Sequence, residues 1–386
     1  MLDKTCAILK DFVAFPTITS DSNLELVVHI AAMLNDCGAR VELFHDESGR
    51  KANLFATLGP EAPGGIVLSG HTDVVPVADQ DWSSDPFMMR EADGRLYGRG
   101  TCDMKGFIAA CVAMAPRFAE ADLKRPLHFA FTYDEEIGCI GGQALAAELR
   151  ARDIRPDIAI IGEPTNMQII EGHKGCCEYT ATFHGLEGHG SDPDRGVNAA
   201  EYAVRYVTRL LHLREALVKR APVDSPFEPP FTTINLGKIA GGVAHNVIAG
   251  KAEVEWEMRP VQPSDVDFVK DEIARYCDEV LLPAMRAVHP DAGIETLTIG
   301  EVAGLEPMNE NAARRLLAEL TGQNDSRTVA FGTEAGLFQA LGMSAVVCGP
   351  GSIQQAHKPD EFVTRDQLDQ CLGMLERLTP TLEKAG

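Results

Sequence analysis

LHFAFTYDEEIGCIGG, residues 127–142, starts as a strand built for a core and ends in three adjacent carboxylates, Asp134, Glu135 and Glu136. Side-by-side carboxylates raise one another's pKa, so a folded chain leaves them in water or gives them a cation. Three other stretches have the same shape: GGIVLSGHTD at 64–73, IAIIGEPT at 158–165 and SAVVCGPGS at 344–352. Each passes from a near-continuous apolar run directly into polar or Gly-rich residues, the pattern of strands buried on both faces. Helix-like segments at Met104 to Phe118, Gln143 to Arg150 and Glu334 to Leu341 lie between them. Strand–helix alternation predicts an α/β domain with a mainly parallel sheet. In such sheets ligands bind outside the carboxyl ends of the strands, where these polar residues fall.

The segment from about Glu178 to Val302 has another pattern. EYTATFHG reads as a strand, NAAEYAVRYVTRLLHLREAL as a helix and FTTINLGKI as a strand; AEVEWEMR, PSDVDFVKDEIARYCDEVLL and IETLTIGEV follow as strand, helix and strand. Ala252, Val254, Trp256 and Met258 alternate with Glu253, Glu255 and Glu257, the signature of a sheet with one wet face. This predicts an α+β module of order βαββαβ, residues 178–302, inserted into a discontinuous domain of residues 1–177 and 303–386. A length of 386 residues suits two such unequal domains.

Composition removes several function classes. The chain is 45% hydrophobic and 24% charged, with no apolar run long enough to span a bilayer. Its formal charge of −22, with no Lys/Arg cluster, disfavours nucleic acid and anionic membranes as partners. The N-terminal stretch MLDKTCAILKDFVAFPTI reads as an amphipathic helix stopped by Pro16, not as a signal peptide, which predicts a cytoplasmic protein. Ten scattered cysteines without a C-x-x-C pair predict reduced thiols.

Acidic and histidine residues recur at the strand ends: His71 and Asp73 in GHTD, Asp103 in GTCDMKG, Glu135 and Glu136, Glu163 in GEPT, and His357 in QQAHKPDEF. Two imidazoles and several carboxylates suit Zn2+ or a similar divalent metal, with one carboxylate too many for a single tetrahedral ion. Two ions sharing a bridging carboxylate absorb the surplus. The Gly-rich YGRGTCDMKG lacks the spacing of a phosphate loop and reads as a turn presenting Asp103.

In order and spacing, SGHTDVVPV, LYGRGTCDMKG, DEEIGCIGG, GEPT, HKG, GHGSDPDRGVNA and GPGSIQQAHKPDEF resemble the motifs of the dinuclear zinc peptidases and deacylases. That family includes carboxypeptidase G, aminoacylase and succinyl-diaminopimelate desuccinylase. The resemblance implies a zinc-peptidase-like catalytic domain with an inserted lid and dimerisation domain, two Zn2+ ions with Co2+ able to substitute, and a homodimer joined through the inserted domain. It implies Asp103 as the bridge, His71 and Glu163 on one metal, and Glu136 and His357 on the other. Glu135 is implied as general base, Asp73 as the partner that orients His71, and His189 as a donor to the oxyanion. Asp134 receives no role beyond structure.

The implied substrate is a small N-acyl amino acid. N-acetylated ornithine, as in arginine biosynthesis, is the first expectation. Succinylated diaminopimelate, acetylcitrulline, other N-acyl amino acids and dipeptides are alternatives within the same machinery. Arg259 and Asn246 match positions that hold the substrate carboxylate, Gly349 and Gly351 are candidates to offer backbone N–H groups, and Glu334 in FGTEAG is the candidate partner for a side-chain ammonium. Cys102, Cys139 and His245 have no assigned chemistry; the two cysteines read as small buried residues. A non-catalytic binding protein is the contrasting class, and the complete ligand set beside a spare carboxylate argues against it.

Overall fold

The computed structural model describes residues 1–384; the last two residues of the expected catalytic segment lie outside the described residues. The chain divides into two compact units, one of Met1–Gly172, Leu305–Thr328 and Thr333–Gly386, the other of His173–Gly304 and Val329–Gly332.

The first unit is organised by an eight-stranded sheet. The four apolar runs are its contiguous centre, in the order Leu127–Thr132, Ile66–His71, Ile158–Pro164, Ser344–Gly349. Each pairs in parallel with its neighbour. The flanks are antiparallel: Arg40–His45 and Ala52–Leu58 extend one side, and Ile169–His173 pairs with Ser344–Gly349 on the other. The sheet is therefore mixed, with a parallel centre. The edge strand Arg40–His45 has no residue fully withdrawn from solvent, which is why its sequence shows no apolar run. Ser344–Gly349, late in the chain, lies between the much earlier strands Ile158–Pro164 and Ile169–His173.

Successive strand residues face opposite sides, and helices cover both. A Cβ on Gly70 would meet Met104 and Ile108 of the Lys105–Glu120 segment, whereas the neighbouring Ser69 hydroxyl reaches Glu334 at the start of helix Ala335–Ala340. Helix Lys105–Glu120 is buried along nearly its whole length, between the sheet and helices Leu2–Val13 and Arg365–Leu382. An all-apolar helix surface of this kind is stable only inside a layered core.

The second unit has the expected βαββαβ order. Strands Cys176–His184, Thr233–Gly241, Lys251–Arg259 and Gly293–Val302 form a four-stranded antiparallel sheet, and helices Ala199–Lys219 and Pro263–Tyr276 cover its apolar face. Ala252, Val254, Trp256 and Met258 are the buried set of their strand, as the alternation predicts. A two-residue ribbon, Gly188–His189 against Val247–Ile248, was not legible beforehand.

Candidate metal centre

His71 and Glu163 end two adjacent parallel strands, Asp103 precedes helix Lys105–Glu120, Glu135 and Glu136 follow strand Leu127–Thr132, and His357 lies in the loop after Ser344–Gly349. The fold brings these termini together at one edge of the sheet. Asp103 faces two ways: its Oδ1 lies 3.0 Å from His71 Nε2 and its Oδ2 lies 3.3 Å from His357 Nε2. His71 Nε2 is also 3.8 Å from Glu163 Oε1, and His357 Nε2 is 3.0 Å from Glu136 Oε2. Ligand atoms on one tetrahedral ion with bonds of about 2.1 Å stand about 3.4 Å apart, which these spacings bracket. A carboxylate with each oxygen against a different imidazole has the geometry of a bridge between two ions. The donor triads that lie mutually close are His71, Asp103 and Glu136, and His71, Glu135 and Glu163, with His357 against Asp103 and Glu136; donor type and spacing fit a pair of divalent metals. His357 is half exposed, so the site opens to solvent at that end.

The three adjacent carboxylates meet three different fates. Asp134 is held by Lys51, whose ammonium lies 2.6 Å from Oδ2. Glu136 faces His357. Glu135 has its backbone N–H donated to Asp73 at 3.1 Å, accepts the Cys139 thiol at 3.4 Å, and has its carboxyl pushed up to about 8 by burial, with His71 opposing and Glu136, Asp73 and Asp103 adding to the rise. Glu135 also lies with His71 and Glu163 in one close group of donors, so its carboxyl stands where it can exchange a proton with a group bound at the centre.

Asp73 orients the site twice. Its carbonyl is the nearest acceptor to His71 Nδ1, at 3.0 Å, with its carboxylate Oδ1 at 3.5 Å, while that carboxylate takes the N–H groups of Glu135 and Glu136. It therefore fixes both the imidazole and the glutamate pair.

Other expected residues are placed differently. The Gly349 N–H is donated to Thr165 Oγ1 at 3.2 Å and the Gly351 N–H to Gln367 Oε1 at 3.2 Å. Both N–H groups are thus engaged within the chain. Glu334 is 1% exposed, and its two oxygens accept from the Ser69 and Thr132 hydroxyls. Its carboxylate ties strands Ile66–His71 and Leu127–Thr132 together through these two hydroxyls. Cys102 is buried, its thiol donating to the Ser352 carbonyl, and Cys139 is buried against Glu135. Burial pushes both thiols well up, as fits inert core cysteines.

Within the second unit, His189 is exposed and hydrogen-bonded through Nδ1 to Ser191 Oγ at 2.8 Å. Asn246 adjoins it, its carbonyl accepting the Gly190 N–H. Arg259 is clamped by Glu257 through Nε and Nη2, at 3.0 and 2.7 Å, leaving Nη1 as the free edge of its fork. Cys176, Glu178 and Glu257 also cluster, but Arg259 already neutralises Glu257, and burial pushes the Cys176 thiol up to about 12. That cluster does not suit a cation. His245 is exposed beside Asn246.

Sequence reasoning missed Arg99 and Glu361, although both lie inside the quoted motifs. They form a buried ion pair at 2.7 Å, with Glu361 also accepting the Cys102 and Asp103 N–H groups. A charge next to a metal ligand in a motif was the available signal; spacing alone does not say whether such a charge points inward.

A profile of the family described as Peptidase family M20/M25/M40 matches residues 67–380. The chain belongs to the M20/M25/M40 peptidase family. Among its M20 relatives, a protein of Myxococcus xanthus named acetylornithine deacetylase is 40% identical, covering 96% of this chain and 95% of the other. One of that name from Proteus mirabilis is 37% identical over 92% and 90%. Among solved structures, an M20 family metallo-carboxypeptidase from Sulfolobus solfataricus superposes with a TM-score of 0.79, at 17% identity, over 99% of both chains. A dinuclear metal binding M20 peptidase of Bacillus subtilis gives 0.63 at 17%, over 99% of this chain and 98% of the other. These two establish the M20 fold of the chain, an α/β domain carrying an inserted α+β unit. No described helix is long and apolar enough to cross a membrane.

Proposed function

We propose that this M20 chain is a metal-dependent amidohydrolase that converts N2-acetyl-L-ornithine and water to acetate and L-ornithine, a step of arginine biosynthesis. The observation that carries the hydrolytic reading is Asp103, with one oxygen against His71 and the other against His357. The substrate is supported by relatives of that name at 34–40% identity over more than nine-tenths of this chain. The same reading takes zinc as the metal pair, with cobalt able to substitute, a homodimer joined through the inserted unit, and the cytoplasm as its place.

When bound, such a pair supplies hydroxide at neutral pH, by lowering the pKa of water to about 7, and polarises the scissile carbonyl. Glu135 takes the proton from the attacking water and hands it to the leaving amine, so that one carboxyl serves as base and then as acid. Asp73 holds Glu135 and His71 in register through the contacts above. Arg259, pre-set by Glu257, offers its remaining guanidinium edge to the substrate α-carboxylate, with Asn246 beside it in role. His189 is the donor assigned to the oxyanion.

The test is steady-state release of ornithine from N-acetyl-L-ornithine by the zinc-loaded protein, beside succinyl-diaminopimelate, acetylcitrulline and N-acetylmethionine. A kcat/KM preference for acetylornithine that chelation abolishes is the expected result. Chelation-sensitive turnover with another substrate in front would keep the hydrolytic reading and replace the substrate; absence of turnover on all four would remove both.

A further inference from the structure

Arg99 and Glu361 do no chemistry in the scheme above, yet they are buried against the metal ligands, each 1% exposed. The Glu361 carboxylate is fully subscribed. Oε1 accepts the N–H groups of Cys102 at 2.8 Å and Asp103 at 3.0 Å, and Oε2 accepts the Gly100 N–H at 3.1 Å and Arg99 Nη1 at 2.7 Å. A carboxylate has about four acceptor sites, so Glu361 has none left for a metal. What it does is wrap the turn that presents Asp103.

Arg99 continues the connection. Its Nη2 donates to Gln80 Oε1 at 2.6 Å, and Gln80 Nε2 donates to the His357 carbonyl at 2.9 Å. Trp82 lies over the guanidinium, 5.0 Å from ring centroid to Cζ, and its indole N–H donates to the same Gln80 oxygen at 3.1 Å. His357 has φ +61, a left-handed conformation that costs a non-glycine residue energy and persists only where neighbours enforce it. An unbroken chain of hydrogen bonds therefore runs from the backbone N–H of Asp103 through Glu361, Arg99 and Gln80 to the carbonyl of His357.

We propose that Arg99, Glu361 and Gln80 are positioning residues that set the separation of Asp103 and His357, and so govern occupancy of the metal position bounded by Asp103, Glu136 and His357. Asp103 bounds the position of His71 and Glu163 as well, so Glu361 bears on both positions, whereas the Gln80 link reaches His357 alone and with it only the second position; His71 is oriented separately by Asp73. This inference rests on the two-metal reading of the site. It makes the second metal the one whose affinity is set by residues that never touch it.

The test uses the full chain, stripped by chelation and titrated with Co2+ alone, followed by calorimetry and by the visible absorption of the bound ion, with the thermal midpoint of each apoprotein measured alongside. Wild type is expected to take up two Co2+. Glu361→Gln, which keeps shape but loses charge, is expected to weaken both sites through the shared Asp103, and the second more, by roughly ten- to a hundredfold, the range for residues that orient metal ligands. Gln80→Ala, which cuts the link to His357, keeps the Arg99–Glu361 pair and leaves Arg99 Nη2 without its Gln80 acceptor, is expected to move the second affinity the same way and to lower the apoprotein midpoint by no more than Asp265→Asn does. Asp265→Asn, which breaks a different buried contact, to Arg220 at 3.0 Å in the inserted unit, is the comparison: it should lower the midpoint and leave both affinities alone. Two wild-type affinities in Gln80→Ala would overturn the proposal, as would losses in Glu361→Gln no greater than those in Asp265→Asn. Should Glu361→Gln fail to fold, Gln80→Ala decides alone. A wild-type chain binding fewer than two Co2+ would remove the two-metal reading itself, a distinct outcome.

Discussion

Replacing Lys51 by methionine tests how the run of acids after strand Leu127–Thr132 is held. The ammonium touches both oxygens of Asp134 and also donates to the Thr19 carbonyl, and the two side chains are only 15% and 9% exposed. Even so paired, burial outweighs the ammonium and keeps the Asp134 carboxyl above its ordinary value. Removing one partner of a buried pair costs about 3–5 kcal/mol, because a desolvated charge is left uncompensated. Since a little solvent reaches this pair, the lower end, about 3 kcal/mol, is the expectation. For a domain of this size that lowers the thermal midpoint by roughly 6–12 °C. The pH dependence has a definite sign. In Lys51→Met the folded-state pKa of Asp134 rises further above its unfolded value, so the deficit should grow as pH rises from 5 to 8 and shrink as Asp134 is protonated. Urea unfolding followed by far-UV circular dichroism at both pH values gives the magnitude, and Lys51→Met/Asp134→Leu should recover most of it. A deficit under about 1 kcal/mol, independent of pH, would place the pair among ordinary surface ion pairs and refute the reasoning.

Glu135→Gln keeps the side-chain volume and every expected ligand; kcat should fall by roughly 10²–10⁴ while metal content by elemental analysis stays at the wild-type value. Near-normal turnover would assign the proton transfer elsewhere. His128 is buried, stacked on Phe55 and hydrogen-bonded to Thr57, and burial brings its pKa down to about 4. The unfolded chain binds this proton from about pH 6.5 and the folded chain only near 4, so stability should decline as pH falls through that window, by about 3 kcal/mol in all. His128→Leu should flatten the decline in urea midpoints between pH 6.5 and 4, with His173, brought down to about 4 in the same way, retaining its own share. An unchanged slope would remove His128 as its source.

The parallel centre of the sheet was legible because strands buried on both faces leave continuous apolar runs, and all four runs became neighbours. The edge strand Arg40–His45 was not, because half-exposed positions carry ordinary polar residues. His71, Asp103, Glu136 and His357 could be read as a set since they share one chemistry, although only His71 and Glu136 stand at or just past ends of the parallel strands, with Asp103 before a helix and His357 in a loop. Three other residues named from the sequence share a different property. Gly349, Gly351 and Glu334 were named for groups they possess, and whether an N–H or a carboxylate is free depends on partners such as Thr165, Gln367, Ser69 and Thr132, which are distant in sequence. Arg99 and Glu361 were missed for the converse reason. Charged residues are exposed by default, and only the fold reveals that two of them, some 260 positions apart, satisfy each other inside it.

The late strand Ser344–Gly349 gives the centre a timetable. His71, Asp103, Glu136 and Glu163 leave the ribosome before the inserted unit, and His357 follows Glu163 by 357 − 163 = 194 positions. Synthesis at roughly 5–20 residues per second separates those events by about 10–40 s. During that interval the place of Ser344–Gly349 between Ile158–Pro164 and Ile169–His173 is unfilled, while four of the five side chains proposed to hold metal already exist on the nascent chain. Closing the sheet and delivering the last imidazole thus come together, and a chain cut short before strand Ser344–Gly349 keeps the acidic side chains but lacks both the strand and His357.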